Sequence, residues 1–223
     1  MIKLIISYLS VFLPWSIKKF LLIHLLGYSI SDKSRIGFSL ILVKNLKMSE
    51  GARIRNFSVI KNLDNLIMKD YSSIGSLNWI SGFPIIINPI HFYDQPNRIP
   101  QLLIGEHSAI TNRHYIDCTD SIIIGKFSTI AGIRSQLLTH SINIDKGRQF
   151  SNPILVGDYV FIGTKCVLLP NSSIPNYSVL GAGSVLNKKY LEPYNLYAGV
   201  PARKVKPLNK NSNYFNRIVG YVY

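Results

Sequence analysis

The sequence predicts a mainly β protein built as a solenoid of short strands. The first observation is an aliphatic residue at every sixth position near the C-terminus: Val156, Ile162, Leu168, Ile174, Leu180 and Leu186. The second is a mostly small residue four positions after these: Val160, Cys166, Ser172, Ser178 and Ser184. The same period returns upstream between Met48 and Ile130, with a two-residue slip after Ile122. Because sandwich strands alternate by two, we interpret each unit as a short strand and a corner, with the aliphatic residue pointing inward.

The first element, residues 1–30, differs in kind. No charge occurs from Leu4 to Ile17, and a second apolar segment runs from Phe20 to Leu26. Each is shorter than the roughly twenty apolar residues of a spanning helix. A basic residue precedes the apolar run, but no small-x-small cleavage pattern follows it. We expect short helices that either cap the open end of the solenoid or lie in a membrane interface with Trp15, Lys18 and Lys19 at the headgroup level. Both alternatives remain open.

The repeat domain is expected over residues 31–207, followed by a tail at 208–223. Two stretches, 88–100 and 139–153, interrupt the six-residue period and are expected to protrude as loops. The second begins with His140 directly after the apolar pair Leu137 and Leu138. A histidine at the exit of a rigid strand is held well enough to serve as a general base.

The charge balance implies anionic partners. The chain carries 25 basic and 11 acidic residues, for a net charge of +14. The basic residues are scattered and no nucleic-acid module is present, so no nucleic acid is expected. An anionic membrane surface and a polyphosphate cofactor explain the charge with fewer assumptions. Cys166 falls on an inward position and Cys118 at a turn, so neither a disulfide nor a metal cluster is predicted.

Residues 154–205 resemble the hexapeptide-repeat acyltransferases, most closely the sugar and exopolysaccharide O-acetyltransferases of the maltose and nodulation-factor type. Three motifs carry the resemblance: T-H at 139–140, G-A-G-S-V at 181–185 and G-V-P-A-R at 199–203. It covers about residues 30–207 and is sharpest after Ile104. The resemblance implies a single-stranded left-handed parallel β-helix, assembled as a homotrimer, with acetyl-CoA in the groove between subunits.

The resemblance also implies the site. His140 matches the histidine that serves as general base, and a largely neutral imidazole suits that role. The family often has an acidic residue three positions later; Asn143 stands there, with Asp145 two further on, which leaves the orienting or acceptor-contacting group open. Acceptor contacts are expected at Asn112 and Asn143. The cofactor contacts carried over from the family are Thr164, Ala182, Asn187, Lys188 and Arg203.

A zinc site like that of the γ-type carbonic anhydrases would require His91, His107 and His114 to converge. Since His107 and His114 are seven residues apart, they fall on neighbouring sides of a coil, and no metal is expected.

The predicted function is acetyl-CoA-dependent O-acetylation of a saccharide hydroxyl in surface-polysaccharide synthesis, with a lipid- or nucleotide-linked acceptor. The expected location is the cytoplasm, with peripheral contact to the inner face of the membrane as one alternative for the N-terminus. Two other functions stay open: N-acetylation of an amino-sugar nucleotide, and a non-catalytic scaffold docked to the membrane by residues 1–26.

Overall fold

Stacked triangular coils form the body of the protein, because equivalent inward residues of successive coils lie in register. One such column runs through Ile54, Ile74, Ile110, Ile130 and Ile162. The computed structural model of the chain describes residues 2–85 and 91–222, so residues 88–90 of the first predicted loop lie outside the described residues. The fold confirms the predicted mainly β solenoid with short N-terminal helices and protruding loops.

Each of the three faces is a sheet, and every pairing is parallel except at the C-terminal end of the second face. The first face contains Ser29–Ile30, Asn45–Met48, Asn65–Met68, Gln101–Ile104, Ile122–Ile124, Ile154–Val156 and Ser173–Ile174. The second contains Arg35–Ile36, Arg53–Ile54, Ser73–Ile74, Ala109–Ile110, Thr129–Ile130, Phe161–Ile162, Val179–Leu180, Asn195–Gly199 and Ala202–Pro207. The third contains Leu40–Leu42, Val59–Lys61, Trp79–Ser81, Tyr115–Asp117, Gln136–Leu138, Val167–Leu168 and Val185–Leu186.

The corners explain the small residues of the repeat. The residue just before each small inward position lies in the left-handed backbone region, as at Phe57 (φ 61°), Tyr159 (φ 54°) and Tyr177 (φ 55°). That conformation is uncommon for non-glycine residues, and stacking of the coils holds it in place. The small side chain that follows turns into the interior, where Ser128 and Ser178 are fully buried.

Two helices, α1 (Ile2–Ser10) and α2 (Trp15–His24), cover the first coil. Leu22 of α2 is fully buried and joins the core of the β-helix. Lys18, expected at the headgroup level in the membrane alternative, is instead buried and donates to the carbonyl oxygens of Gly37 at 2.7 Å and Ser39 at 3.1 Å. Burial lowers the pKa of Lys18 from 10.5 to about 8. No helix among the described residues has the length and apolarity needed to cross a membrane.

The C-terminal tail folds back along one corner of the coils. Stacked rings line this corner in the order Tyr71, His107, Phe127, Tyr159, Tyr177 and Tyr194. The guanidinium of Arg217 lies over two of these rings, 5.8 Å from that of Phe127 and 5.5 Å from that of Tyr159. The Tyr214 hydroxyl donates to the Val160 carbonyl oxygen at 3.1 Å. The tail therefore packs on the solenoid.

Two protrusions interrupt the coils on the side of the third face. One is an antiparallel hairpin of His140–Asn143 and Arg148–Ser151, and the other is the loop 91–100. The Gln95 side chain joins them, since its Nε2 donates to the Ser151 carbonyl oxygen at 2.8 Å and its Oε1 accepts from the Ser151 amide at 2.7 Å. The two segments thus form one structural unit beside the corner where the third face ends.

Candidate active site

The His140 imidazole lies at the corner between the third and first faces. It follows the strand Gln136–Leu138 after a single residue and begins the hairpin. Its Nδ1 is 2.7 Å from Oδ2 of Asp117 in the preceding coil. The side chain of His140 is 42% exposed, whereas that of Asp117 is 7% exposed. One end of the imidazole is therefore fixed by a buried carboxylate, and the ring remains open to solvent.

Several donors converge on the Asp117 carboxylate. Thr119 Oγ1 donates to Oδ1 at 2.7 Å. The backbone amides of Thr139 and His140 donate to Oδ2 at 3.1 and 3.2 Å, and Thr139 Oγ1 lies 3.0 Å from the same oxygen. Burial alone would raise the pKa of Asp117, but the hydrogen bonds from His140, Thr119 and Thr139 outweigh it and hold this pKa below its ordinary value.

The ionised carboxylate fixes the tautomer of His140. A carboxylate only accepts hydrogen bonds, so Nδ1 of His140 must carry its proton, which leaves the Nε2 lone pair available. The hydrogen bond to Asp117 raises the pKa of His140, and burial opposes this in part. A neutral His140 is thus oriented to accept a proton at Nε2, and its protonated form is stabilised.

Coil register places Asp117 beside His140. Tyr115 pairs with Gln136, Ile116 with Leu137, and Asp117 with Leu138. The chain leaves the strand one residue later, so His140 turns back over the end of the lower strand. Sequence reasoning missed Asp117 and looked for the orienting acid in the hairpin. The available signal was an acidic residue directly after an inward isoleucine, one coil before the histidine.

The loop 91–100 forms one wall of the site. The buried ring of Phe92 meets the His140 ring edge-on, with centroids 6.2 Å apart. The guanidinium of Arg98 lies 4.7 Å from the Phe92 centroid and donates to the carbonyl oxygens of Thr119 at 2.8 Å and Pro84 at 3.0 Å. Arg98 thereby anchors this wall to the coil that carries Asp117.

Three predicted residues lie at a different corner, between the second and third faces. Thr164 and Ala182 occupy it in successive coils, and a Cβ added at Gly163, directly before Thr164, would meet the Ala182 nitrogen at 2.7 Å. Asn112 lies at this corner in an earlier coil, and its Oδ1 accepts from the Ser76 amide at 2.7 Å. The third face separates all three from the corner of His140 within one chain.

Of the remaining predicted residues, three lie on the His140 side and Arg203 lies at the end of the second face. Asn187 and Lys188 follow the third face at the same corner as His140, two coils further on. Arg203 lies opposite Ala198 in the terminal strand pair. Asn143 is inside the hairpin, where its Oδ1 accepts from the Lys146 amide at 3.0 Å. A single chain therefore does not gather the predicted cofactor and acceptor residues around His140.

His91, His107 and His114, the three histidines that a zinc site would need, have other partners. His107 belongs to the aromatic stack, and the His91 ring meets Phe83 edge-on. His114 is buried, with Nδ1 accepting from the Ser135 amide at 3.1 Å and Nε2 2.9 Å from Thr111 Oγ1. Burial lowers the pKa of His114 to about 4. Over residues 2–85 and 91–222, no group of three His, Cys, Asp or Glu side chains is placed to hold a metal ion.

Comparison with known proteins gives three informative likenesses, although no protein-family model matches the chain. Galactoside O-acetyltransferase of Escherichia coli is 24% identical over 160 residues, covering 71% of this chain and 74% of that protein. A polysialic acid O-acetyltransferase structure is 21% identical, covers 81% of this chain and 84% of that one, and has a TM-score of 0.61. A hexapeptide-repeat acetyltransferase structure from Vibrio cholerae is 31% identical, covers 48% of this chain and 63% of that one, and has a TM-score of 0.46. The chain thus matches less than two thirds of this last relative's length.

The triangular coils and the structural likeness with a TM-score of 0.61 define the fold, a left-handed parallel β-helix. In sequence, the chain is similar to the hexapeptide-repeat acyltransferases. Within that class, its relatives include sugar O-acetyltransferases.

Proposed function

We propose that the protein is an acetyl-CoA-dependent O-acetyltransferase that acetylates a saccharide hydroxyl in surface-polysaccharide synthesis. The observation that carries this proposal is the His140–Asp117 pair, with Nδ1 held 2.7 Å from a buried carboxylate and the ring open to solvent. Acetylation of a hydroxyl needs a base that accepts the hydroxyl proton as the oxygen attacks. The named activities of the sugar O-acetyltransferase relatives support the choice of reaction.

The proposed steps follow from the pair. Acetyl-CoA supplies the thioester carbonyl carbon. His140 Nε2 accepts the proton of the acceptor hydroxyl while the new carbon–oxygen bond forms, and Asp117 stabilises the resulting imidazolium. The carbon–sulfur bond then breaks, and the imidazolium returns the proton to the leaving sulfur. His140 ends the cycle neutral.

The residues proposed for coenzyme A suit its chemistry. Lys188 and Arg203 lie near the C-terminal end of the coils, and neither forms an ion pair with a described carboxylate. Cations of this kind bind phosphate groups. Thr164 and Ala182 lie across the third face from His140, so we propose that a neighbouring copy supplies the facing corner in a homotrimer.

The acceptor is proposed to approach over the loop 91–100. A cavity of about 260 Å³ lies between this loop and the hairpin, lined by residues that include His91, Tyr93 and Gln149. The Arg148 guanidinium lies 4.8 Å from the Tyr93 ring centroid. Aromatic and hydrogen-bonding groups together suit a sugar ring. Phe92 also lines the cavity and contacts His140, which connects the acceptor space to the base.

The test supplies acetyl-CoA and candidate saccharides, follows thiol release, and compares the wild-type protein with His140→Ala. Loss of a general base is expected to lower kcat about 10²–10⁴-fold. Ile144→Ala, at an 83% exposed position of the same hairpin, is the matched control and should keep full activity. A near-full rate in His140→Ala would refute the assigned base.

The product and the binding data separate the alternatives. An acetyl group released by mild base is an ester, whereas a base-stable product is the amide expected from N-acetylation. If calorimetry detects no coenzyme A binding by folded protein, the non-catalytic scaffold is favoured.

A further inference from the structure

The outward side of the N-terminal helices is apolar and exposed. Eight large apolar or aromatic side chains there are between 49% and 79% exposed: Leu4, Ile5, Tyr8, Leu9, Phe12, Ile17, Phe20 and Leu25. We call these eight residues the outer apolar face. Clusters of exposed apolar side chains of this kind mark surfaces that contact a partner or a membrane.

Capping of the β-helix does not account for the outer apolar face. The side of α2 that faces the first coil already buries Leu22 completely, and Lys18 satisfies the carbonyl oxygens of Gly37 and Ser39. The outer apolar face lies on the other side of the helix pair. The pair therefore has two distinct surfaces, and one of them is covered by the protein's own core.

The N-terminal helices and the cleft beside them carry basic side chains. Residues 1–31 contain no Asp or Glu. A cleft of about 700 Å³ next to the α1–α2 connection is lined by Phe12 and Trp15 together with Arg35, Arg53 and Arg55. Arg35 and Arg53 pair in register on adjacent strands, so their backbones lie about 4.8 Å apart.

Among the residues that the structure describes, these three arginines have no carboxylate partner. Within the described parts of the chain, none of the three forms an ion pair, whereas the nearby acids Asp32 and Glu50 are paired with Lys19 and Lys33. Two cations held side by side without a counter-ion favour an external anion. Because the cleft also contains exposed aromatic surface, the complementary ligand is both anionic and apolar.

We propose that the N-terminal cap docks the protein on an anionic phospholipid bilayer. The outer apolar face enters the boundary between headgroups and acyl chains, as interfacial helices do. Arg35, Arg53 and Arg55 contact the lipid phosphates beside it. Trp15 and Tyr8 suit the headgroup level, where amphipathic aromatic rings are enriched. The proposal is independent of catalysis.

Vesicle sedimentation of the full-length protein tests this docking. Binding is expected to phosphatidylcholine vesicles that contain phosphatidylglycerol, to weaken with added salt, and to be far weaker on pure phosphatidylcholine. The double variant Leu9→Ser/Phe12→Ser should lose binding. Its matched control is Leu191→Ser, at a position that is 83% exposed outside the helices.

A second variant keeps the test decisive if the serine variant does not fold. Arg35→Gln/Arg53→Gln should bind about fivefold more weakly for each arginine removed. Its control, Lys206→Gln, removes an exposed charge in the last strand and should bind as the wild type does. Circular dichroism verifies folding of each variant.

Three results would overturn the proposal. The first is wild-type protein that does not sediment with phosphatidylglycerol vesicles. The second is equal loss of binding in the control variants. The third is self-association through the outer apolar face, seen in sedimentation velocity as an oligomer that Leu9→Ser/Phe12→Ser dissociates, without vesicle binding. Since no acetyl-CoA is present, a failure here leaves the proposed acetyl transfer unaffected.

Discussion

Replacing Asp117 with Asn tests whether the buried carboxylate controls the base. The change keeps the shape of the side chain but removes its charge, so the hydrogen bond from His140 Nδ1 is weakened. The amide group also brings donors toward Thr119 and Thr139, which already donate to this position. We therefore expect lower activity together with lower stability, and the assay must separate the two.

The expected loss of activity in Asp117→Asn follows from the solvent exposure of the His140–Asp117 pair. A hydrogen bond to a charged group contributes about 1.5–3 kcal/mol. Because the His140 side chain is 42% exposed, water screens the interaction, and we take the lower end, ~1.5 kcal/mol. Since ~1.4 kcal/mol corresponds to a tenfold change in rate, kcat/KM should fall about tenfold. This loss is smaller than that expected for His140→Ala.

The pH profile distinguishes orientation of the base from a purely structural role. Neutral His140 is the active form, so kcat/KM should rise as the pH increases through its pKa. The hydrogen bond to Asp117 raises that pKa, so Asp117→Asn should move the rising limb to lower pH. The assay is thiol release across a pH series, below the unfolding temperature of each variant.

Asp145→Asn is the matched control, because it removes an exposed carboxylate from the same hairpin. Asp145→Asn should leave both the rate and the rising part of the pH profile unchanged. If the rising part of the pH profile does not shift in Asp117→Asn, or shifts in Asp145→Asn instead, the assignment of Asp117 as the group that orients His140 is refuted.

Two further predictions concern the ends of the β-helix. The difference in unfolding temperature between the wild type and Lys18→Met should increase in favour of the wild type as the pH rises from about 8 toward 10.5. In this range the Lys18 amine binds a proton more tightly in the unfolded chain than in the folded protein, where it is buried. A difference that does not change with pH would contradict the lowered pKa of Lys18. Lys188→Gln and Arg203→Gln should each weaken coenzyme A binding in calorimetry by up to about fivefold and leave kcat unchanged. Lys146→Gln in the hairpin is the control, and an equal loss there would contradict a local phosphate contact.

The fold was predictable because inward positions repeat along the chain. Ile162 and Leu180 are three six-residue units apart in the pattern and are partners in space, since each coil of three units places the same face on the coil below. The burial of Lys18 was not predictable in the same way. A lysine within an apolar helix suggests a headgroup contact. Only the position of α2 over the first coil shows that backbone carbonyl oxygens accept hydrogen bonds from its ammonium group.

The candidate site was only partly predictable because its contacts cross between coils of unequal length. His140 is recognisable from its place after a strand, which is a local property. Its partner Asp117 depends on the pairing of Ile116 with Leu137. A strict six-residue count fails here, because this coil contains the two-residue slip after Ile122 and one extra residue between Ile130 and Leu137. Once both are included, the carboxylate falls directly below the start of the hairpin.

This arrangement explains why a loop histidine can act with the precision of a strand residue. The backbone amides of Thr139 and His140 both donate to Oδ2 of Asp117, the same oxygen that accepts from the imidazole. The Asp117 carboxylate alone therefore fixes both the backbone at the start of the hairpin and the imidazole ring of His140. Since Asp117 belongs to the adjacent coil, the rigidity of the stacked sheet is transmitted to the base, while the rest of the hairpin remains available to contact an acceptor.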